Sequence, residues 1–125
     1  MRALSASGSF ATMKPFAPPL PPGASSPPLW GSEAHLHELF GDRVDFHTVT
    51  RDVLEITAFE RPRDYAEHFK ACYGPAIAVR ANAERNGTAA EIDAALDAFC
   101  DEWSHGTTSP ARFEKEYLVA VGTRR

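Results

Sequence analysis

Only two segments of the chain have the residue pattern of β-strands, and an isolated pair of strands is only marginally stable. Residues 44–59 are rich in β-branched and aromatic side chains, and residues 113–122 are polar on one face at their start and apolar on both faces towards their end. Apolar residues fall on both parities of the first segment. This predicts a long strand that is partly buried on both faces, or one bent by a bulge near Arg51 and Asp52. Either the helices of the chain cover a small antiparallel sheet, or the strands form the edge of a larger sheet.

Four helices are predicted from apolar periodicity and from residues that start helices. Ser32 is an N-cap, Pro62 and Pro75 stand at first helical positions, and Thr88 with Glu91 has the spacing of a capping box. The order is helix, strand, three helices, strand, which indicates an α+β fold. The main apolar stripes consist of Leu36, Leu39 and Phe40, of Tyr65, Phe69, Cys72 and Tyr73, and of Ile92, Ala95, Leu96, Phe99 and Trp103.

The segment before the first of these helices is rich in proline. Residues 10–31 hold seven of the ten prolines, so they cannot form a continuous helix. The segment is too apolar for an ordinary solvated linker, which predicts a stiff, extended cover over an apolar surface. We therefore divide the chain into a proline-rich N-terminal segment, 1–31, and a helix–strand–three-helix–strand region, 32–125. Residues 1–9 are small and polar and are expected to be only loosely attached.

Composition excludes several classes of protein. A net charge of −4 and a pI near 5.7 argue against a nucleic-acid partner or an anionic membrane surface. No apolar run approaches the roughly 20 residues of a membrane span, and the N-terminus lacks the apolar core of a secretory signal. Cys72 and Cys100 both fall on apolar helix faces, so we expect free, buried thiols and a cytoplasmic location.

No catalytic, cofactor-binding or metal-binding residue can be assigned from a motif. His35 and His37 point to different faces of a helix and would not converge on a metal ion. Asp93, Asp97 and Asp101 form a stripe on one helix, which is typical of a solvated face. The chain has no GxSxG, Walker, CxxC or HExxH motif and no glycine-rich strand-to-helix turn that would hold a nucleotide.

Four segments together resemble one family. They read FATMKPFAPPLPPGASSPPLWG, HLHELFGDRV, RPRDYAEHFKACYGP and EYLVAVGTRR. They are similar to the C-terminal portion of class I S-adenosylmethionine-dependent methyltransferases of the small-molecule C-methylase type. The resemblance implies a partial Rossmann-like fold in which 44–59 includes the sixth strand and 113–122 is the antiparallel seventh. It also implies that the proline-rich segment and the helices of 62–103 cover the substrate.

The same resemblance sets the expected ligands. The cofactor-binding half of the family is absent, so the chain alone is expected to bind no S-adenosylmethionine. With that half supplied, the ligand would be a small-molecule methyl acceptor. The implied substrate-binding residues are Trp30, Tyr65, Phe69 and Tyr73. An exposed sheet edge is expected to associate with other chains. Met1 falls where the catalytic core should already have been built, which suggests a displaced start or an interrupted gene.

Three hypotheses follow. In the first, the chain is a truncated or split methyltransferase polypeptide that is inactive alone. In the second, it is a free-standing α+β module that holds an apolar ligand between the same four aromatic residues. In the third, it is an interaction subunit that completes the sheet of another protein.

Overall fold

A computed structural model describes residues 6–105 and 109–125, and this part of the chain has an α+β fold with five α-helices and one two-stranded antiparallel sheet. The elements are α1 (Ala6–Met13), α2 (Glu33–Phe40), β1 (Val44–Phe59), α3 (Pro62–Cys72), α4 (Gly74–Arg85), α5 (Ala89–Trp103) and β2 (Ala111–Arg124). Short 3₁₀ turns lie at Lys14–Phe16, Pro27–Gly31 and Gly41–Arg43.

The two strands form a long ribbon. β1 and β2 pair antiparallel over almost their whole length. The pairing is regular at Arg51 and Asp52, so the predicted bulge there was wrong; the irregularities lie between Phe46 and Thr48 and close to Phe59. None of the residues of β1 is fully buried, but Phe46 and Val49 are partly buried on one face and Ile56 on the other, which agrees with the prediction of partial burial on both faces.

Gly122 explains how the strands approach each other at one end of the ribbon. A Cβ atom at this position would lie 2.6 Å from Val44 Cγ1 and 3.0 Å from the carbonyl oxygen of Asp45. Real Cβ atoms do not tolerate such contacts, so only glycine fits beside the irregularity at Phe46.

Helices pack on the ribbon at opposite ends and on opposite faces. Because side chains alternate along a strand, Phe113 and Leu118 lie on different faces of β2. Phe113 is fully buried in the main core with α3 and α5, whereas Leu118 faces α2. The ribbon therefore joins two separately packed ends, and its middle has little helical cover. The main core consists of Met13, Tyr65, Ala66, Phe69, Ala76, Val79, Ala83, Ile92, Leu96, Phe99, Cys100, Ala111 and Phe113.

The N-terminal residues pack more closely than the sequence predicted. Residues 6–9 were expected to be loosely attached, yet they open α1, and Met13 at its end is almost fully buried. A Cβ atom on Gly8 would lie 3.1 Å from the Phe99 ring, so α1 and α5 are in close contact. Tertiary packing holds a helix that small residues alone would not favour. Residues 1–5 lie outside the described part.

One of two predicted side-chain caps at helix starts is present in the structure, and the other is not. Ser32 caps α2 as predicted, since its hydroxyl oxygen accepts a hydrogen bond from the backbone N–H of His35 at 3.3 Å. The predicted capping box at Thr88 was wrong. The Thr88 hydroxyl instead donates to the carbonyl oxygen of Ala83 at 3.4 Å, so it joins the end of α4 and leaves the start of α5 without a side-chain cap.

The two cysteines differ in burial. Cys100 is buried in the core, as predicted, but Cys72 is exposed. Cys72 is the last residue of α3, and the buried stripe of this helix ends earlier, at Phe69 and Lys70. Helical periodicity placed Cys72 on the apolar side without showing that the packed part of the helix stops before it.

Candidate functional site

A cavity of about 610 Å³ lies between α1, the proline-rich segment and α4. Its volume is within the range of roughly 300–1,000 Å³ that is usual for small-molecule sites. The walls are almost entirely apolar, and the proline-rich segment supplies a large share of them. The lining residues are Phe10, Ala11, Met13, Lys14, Ala17, Pro18, Pro19, Leu20, Ser26, Pro27, Pro28, Pro75 and Val79.

Two hydrogen bonds hold the proline-rich segment, one near its start and one at its end. The side-chain amide of Asn82 on α4 donates a 2.8 Å hydrogen bond to the carbonyl oxygen of Phe16. At the other end, the Arg51 guanidinium on β1 donates a 2.9 Å hydrogen bond to the carbonyl oxygen of Gly31. The predicted cover is therefore attached to a helix at one end and to the ribbon at the other.

Trp30 lies in a different place. Its ring meets Phe40 edge-on at 6.4 Å between ring centroids, and 58 % of the residue is exposed. It lines a second cavity of about 470 Å³ between α2 and one face of the ribbon. The other residues around that cavity are Leu36, Phe40, Val44, Phe46, Leu118, Ala120, Gly122 and Arg124.

The other three predicted site residues come together. Phe69 stacks on Tyr73 at 4.5 Å between ring centroids and lies 6.2 Å from Tyr65. Tyr65 and Phe69 are buried, and Lys115 Nζ lies 5.6 Å from the centroid of the Tyr65 ring and 5.7 Å from that of Phe69. These rings line neither of the two cavities, and Trp30 does not join them.

Motif reasoning did not single out the residues that line the larger cavity. Lys14 and Val79 carry no recognisable pattern, and Asn82 belongs to no motif. The available signal was the apolar content of the proline-rich segment, in which Phe10 and Met13 recur beside the prolines. The start of the segment does pack on the core, through Phe10, Met13 and Phe16. The prediction of an extended cover was wrong for the rest, because helical turns interrupt the segment and Leu20 and Trp30 are each 58 % exposed.

One face of the ribbon carries four exposed apolar or aromatic side chains along its middle, among the polar residues Thr48, Thr50, Asp52 and Lys115. Alternation along the paired strands puts Leu54, Tyr117, Val119 and Val121 on the same face. Their exposed fractions are 54, 45, 38 and 52 %, respectively. A row of large apolar side chains at this exposure is typical of a surface that another element covers.

On the opposite face, charged side chains lie between the main core and the apolar end that packs on α2. Arg51 pairs with Glu116 across the strands at 3.0 Å, and Arg112 Nη2 reaches Glu114 Oε1 at 3.0 Å. Arg112 also pairs with Glu55. Such exposed ion pairs add little stability, but they make this face compatible with water.

A buried lysine joins two helices of the core. Lys70 Nζ donates hydrogen bonds to Asp97 at 2.7 Å and to Glu67 at 3.1 Å, and its side chain is only 6 % exposed. Burial alone would lower the pKa of Lys70, but the hydrogen bonds to Asp97 and Glu67 outweigh it and the pKa is raised. Arg63 also reaches Asp97, at 3.1 Å. This cluster is therefore a satisfied structural network.

The thiol inside the core is a poor nucleophile. Burial, with the nearby carboxylates of Asp97 and Asp101, raises the pKa of Cys100 to about 12. Only the thiolate reacts, so this group is inert at neutral pH. Within residues 6–105 and 109–125, no group of three or more His, Cys, Asp or Glu side chains is arranged to hold a metal ion. In the same part of the chain, no helix has the length and apolar character needed to cross a bilayer.

Comparison with known proteins finds similar chains in mycobacteria. An uncharacterized protein of Mycobacterium tuberculosis is 36 % identical over 95 residues, which cover 75 % of this chain and 35 % of the relative. A second uncharacterized protein of that organism is 33 % identical over 121 residues, covering 93 % of this chain and 41 % of the relative. An uncharacterized protein of Mycobacterium bovis matches with the same figures as the second. The chain thus spans about two fifths or less of the length of these relatives.

No protein-family model matches the chain. No solved structure matches it either.

Proposed function

We propose that this chain is the C-terminal sheet edge and substrate-covering part of a class I S-adenosylmethionine-dependent methyltransferase with a Rossmann-like fold. The observation that carries the proposal is the long β1–β2 ribbon with a row of exposed apolar side chains on one face. In this proposal, further strands pair with the free side of this long antiparallel pair. Helices of the missing part would then cover the face on which Leu54, Val119 and Val121 are exposed.

The order of elements supports the same proposal. A helix precedes β1, three helices lie between β1 and β2, and β2 returns antiparallel. This order agrees with the end of the methyltransferase fold that the four sequence segments resemble. The mycobacterial relatives are long enough to contain a further domain-sized region, which in this proposal supplies the parallel strands and the cofactor site.

We assign the substrate site to the cavity that the proline-rich segment lines. In this proposal the larger cavity receives a small organic acceptor, and the covering segment keeps water away from the transferred methyl group. The methyl group would pass from the cofactor sulfonium to a nucleophilic atom of the acceptor, leaving S-adenosylhomocysteine. In-line transfer of this kind is accelerated mainly by positioning the two reactants. The free thiols fit a reducing cytoplasm, where we place the protein.

Calorimetric titration with S-adenosylmethionine tests the proposal. We expect the isolated chain to bind none and the full-length relative that is 33 % identical to bind it with micromolar affinity. Failure of the correctly folded relative to bind would contradict the methyltransferase assignment. Micromolar binding by the isolated chain would contradict the division of the site between two parts.

A free-standing ligand-binding module is the second candidate, and the 610 Å³ apolar cavity favours it. Cooperative unfolding of the isolated monomer, together with ligand binding in the absence of any cofactor, would support this alternative. A chain that aggregates alone and stays in solution only as a complex with a partner would support the proposal of an incomplete sheet.

A further inference from the structure

We propose that the cavity beneath the proline-rich segment binds a small organic acid with an apolar body, and that the carboxylate of this acid pairs with Lys14. Four of the large lining side chains are Phe10, Met13, Leu20 and Val79, which offer apolar contact without hydrogen-bonding groups. An occupant that fills this space must therefore have an aliphatic or aromatic body.

Lys14 determines the charge of the ligand. It is the one charged residue among those that line the cavity, and it lies in an exposed position directly after α1. No carboxylate in residues 6–105 or 109–125 forms an ion pair with it. An ammonium group beside an apolar cavity favours an anionic head group over a neutral or cationic one.

Proline rings make the walls stiff. Pro18, Pro19, Pro27 and Pro28 have fixed backbone φ angles, and Asn82 holds the start of the segment on α4. A ligand that enters such a cavity orders little additional chain, so a larger part of its contact energy remains as affinity.

Binding at this cavity does not require methyl transfer. The further claim that the acid is the methyl acceptor does require methyl transfer, and this claim rests on the proposed function. The two claims are separable, because the first is measured on the isolated chain without cofactor and the second requires S-adenosylmethionine binding by a full-length relative.

Calorimetry on the full chain with decanoate and decanol as probes tests the cavity directly. We expect decanoate to bind and decanol to bind about fivefold more weakly, the difference expected for one solvent-accessible ion pair. Lys14→Met should weaken decanoate by about the same factor and leave decanol unchanged, whereas Lys14→Arg should retain decanoate. Ala17→Trp should fill the cavity and abolish binding of both probes, while Ile77→Trp, at an exposed position on α4, should not.

Three results would overturn the inference. They are an absence of decanoate binding, equal affinity for the two probes in both the parent chain and Lys14→Met, and unchanged binding in a folded Ala17→Trp variant. If decanoate binds while the full-length relative fails to bind S-adenosylmethionine, the cavity site stands and the methyltransferase assignment falls. If the relative binds the cofactor and decanoate does not bind here, only the cavity inference falls.

Discussion

The side-chain amide of Asn82 donates a 2.8 Å hydrogen bond to the carbonyl oxygen of Phe16, which attaches the start of the proline-rich segment to α4. Sixty-six positions separate the two residues along the sequence. The segment that follows Phe16 forms one wall of the larger cavity, so this bond holds that wall against α4.

Loss of that bond should loosen the covering segment. We expect Asn82→Ala to lower the free energy of unfolding by about 1 kcal/mol, because the half-buried carbonyl of Phe16 loses its partner. Urea denaturation followed by circular dichroism measures the change. Glu84→Ala, exposed on the same helix, is the matched control and should alter stability little. An equal loss in both variants would show that the hydrogen bond contributes nothing specific.

Two positions on β2, one in the core and one exposed, should respond very differently to substitution. Phe113 is fully buried and lies 4.5 Å from the ring of Tyr65, so Phe113→Leu should lower the free energy of unfolding by about 1 to 2 kcal/mol. Tyr117→Leu on the same strand, where the side chain is exposed, should have a much smaller effect. Urea midpoints compare the two. Similar losses would contradict the placement of the core at one end of the ribbon.

The buried Lys70 should contribute more to the free energy of unfolding than an exposed lysine with the same two ion pairs. Lys70→Met leaves Asp97 with Arg63 as its remaining cationic partner, and we expect a loss of about 2 kcal/mol in the free energy of unfolding. Glu67→Gln is the control, since this carboxylate is mostly exposed and should contribute far less. Thermal and urea unfolding of both variants test the difference. A stable Lys70→Met protein would show that an apolar group replaces the pair without cost.

Acid should weaken the contact between α4 and α5. A two-pronged hydrogen bond from Arg80 holds the pKa of Asp93 below its ordinary value of 3.8. A lowered folded-state pKa gives stability that is present above the unfolded value and is lost as the pH falls through the folded one. The contribution should therefore disappear below about pH 3.8, and Asp93→Asn should flatten the decline of the urea midpoint in that window. A control, Asp101→Asn at an exposed position on α5, should keep the slope of the parent chain.

Local pattern was sufficient to predict much of the fold. The limits of β1, the N-cap at Ser32 and the helix start at Pro62 follow from side-chain periodicity, hydroxyl capping and the fixed φ angle of proline. Each of these features depends on residues only a few positions apart. The coarse α+β class follows from their order.

The remaining features depend on contacts between distant residues. α1 forms because Gly8 lets it approach Phe99, and sequence periodicity contains no sign of that contact. The family resemblance implies one site that contains both Trp30 and Tyr65, but in the structure they belong to separate clusters. The cavity that the proline-rich segment borders is a property of the space between elements, which residue patterns do not specify.

The central claim is that this chain is one part of a methyltransferase whose cofactor site lies in another part. The most direct measurement uses a chimera in which this chain replaces the matching stretch of the mycobacterial relative that is 33 % identical. S-adenosylmethionine is titrated into the chimera, the relative and the isolated chain by calorimetry. We predict micromolar binding by the chimera and the relative and none by the isolated chain. A folded chimera that fails to bind the cofactor while the relative does so would contradict the claim.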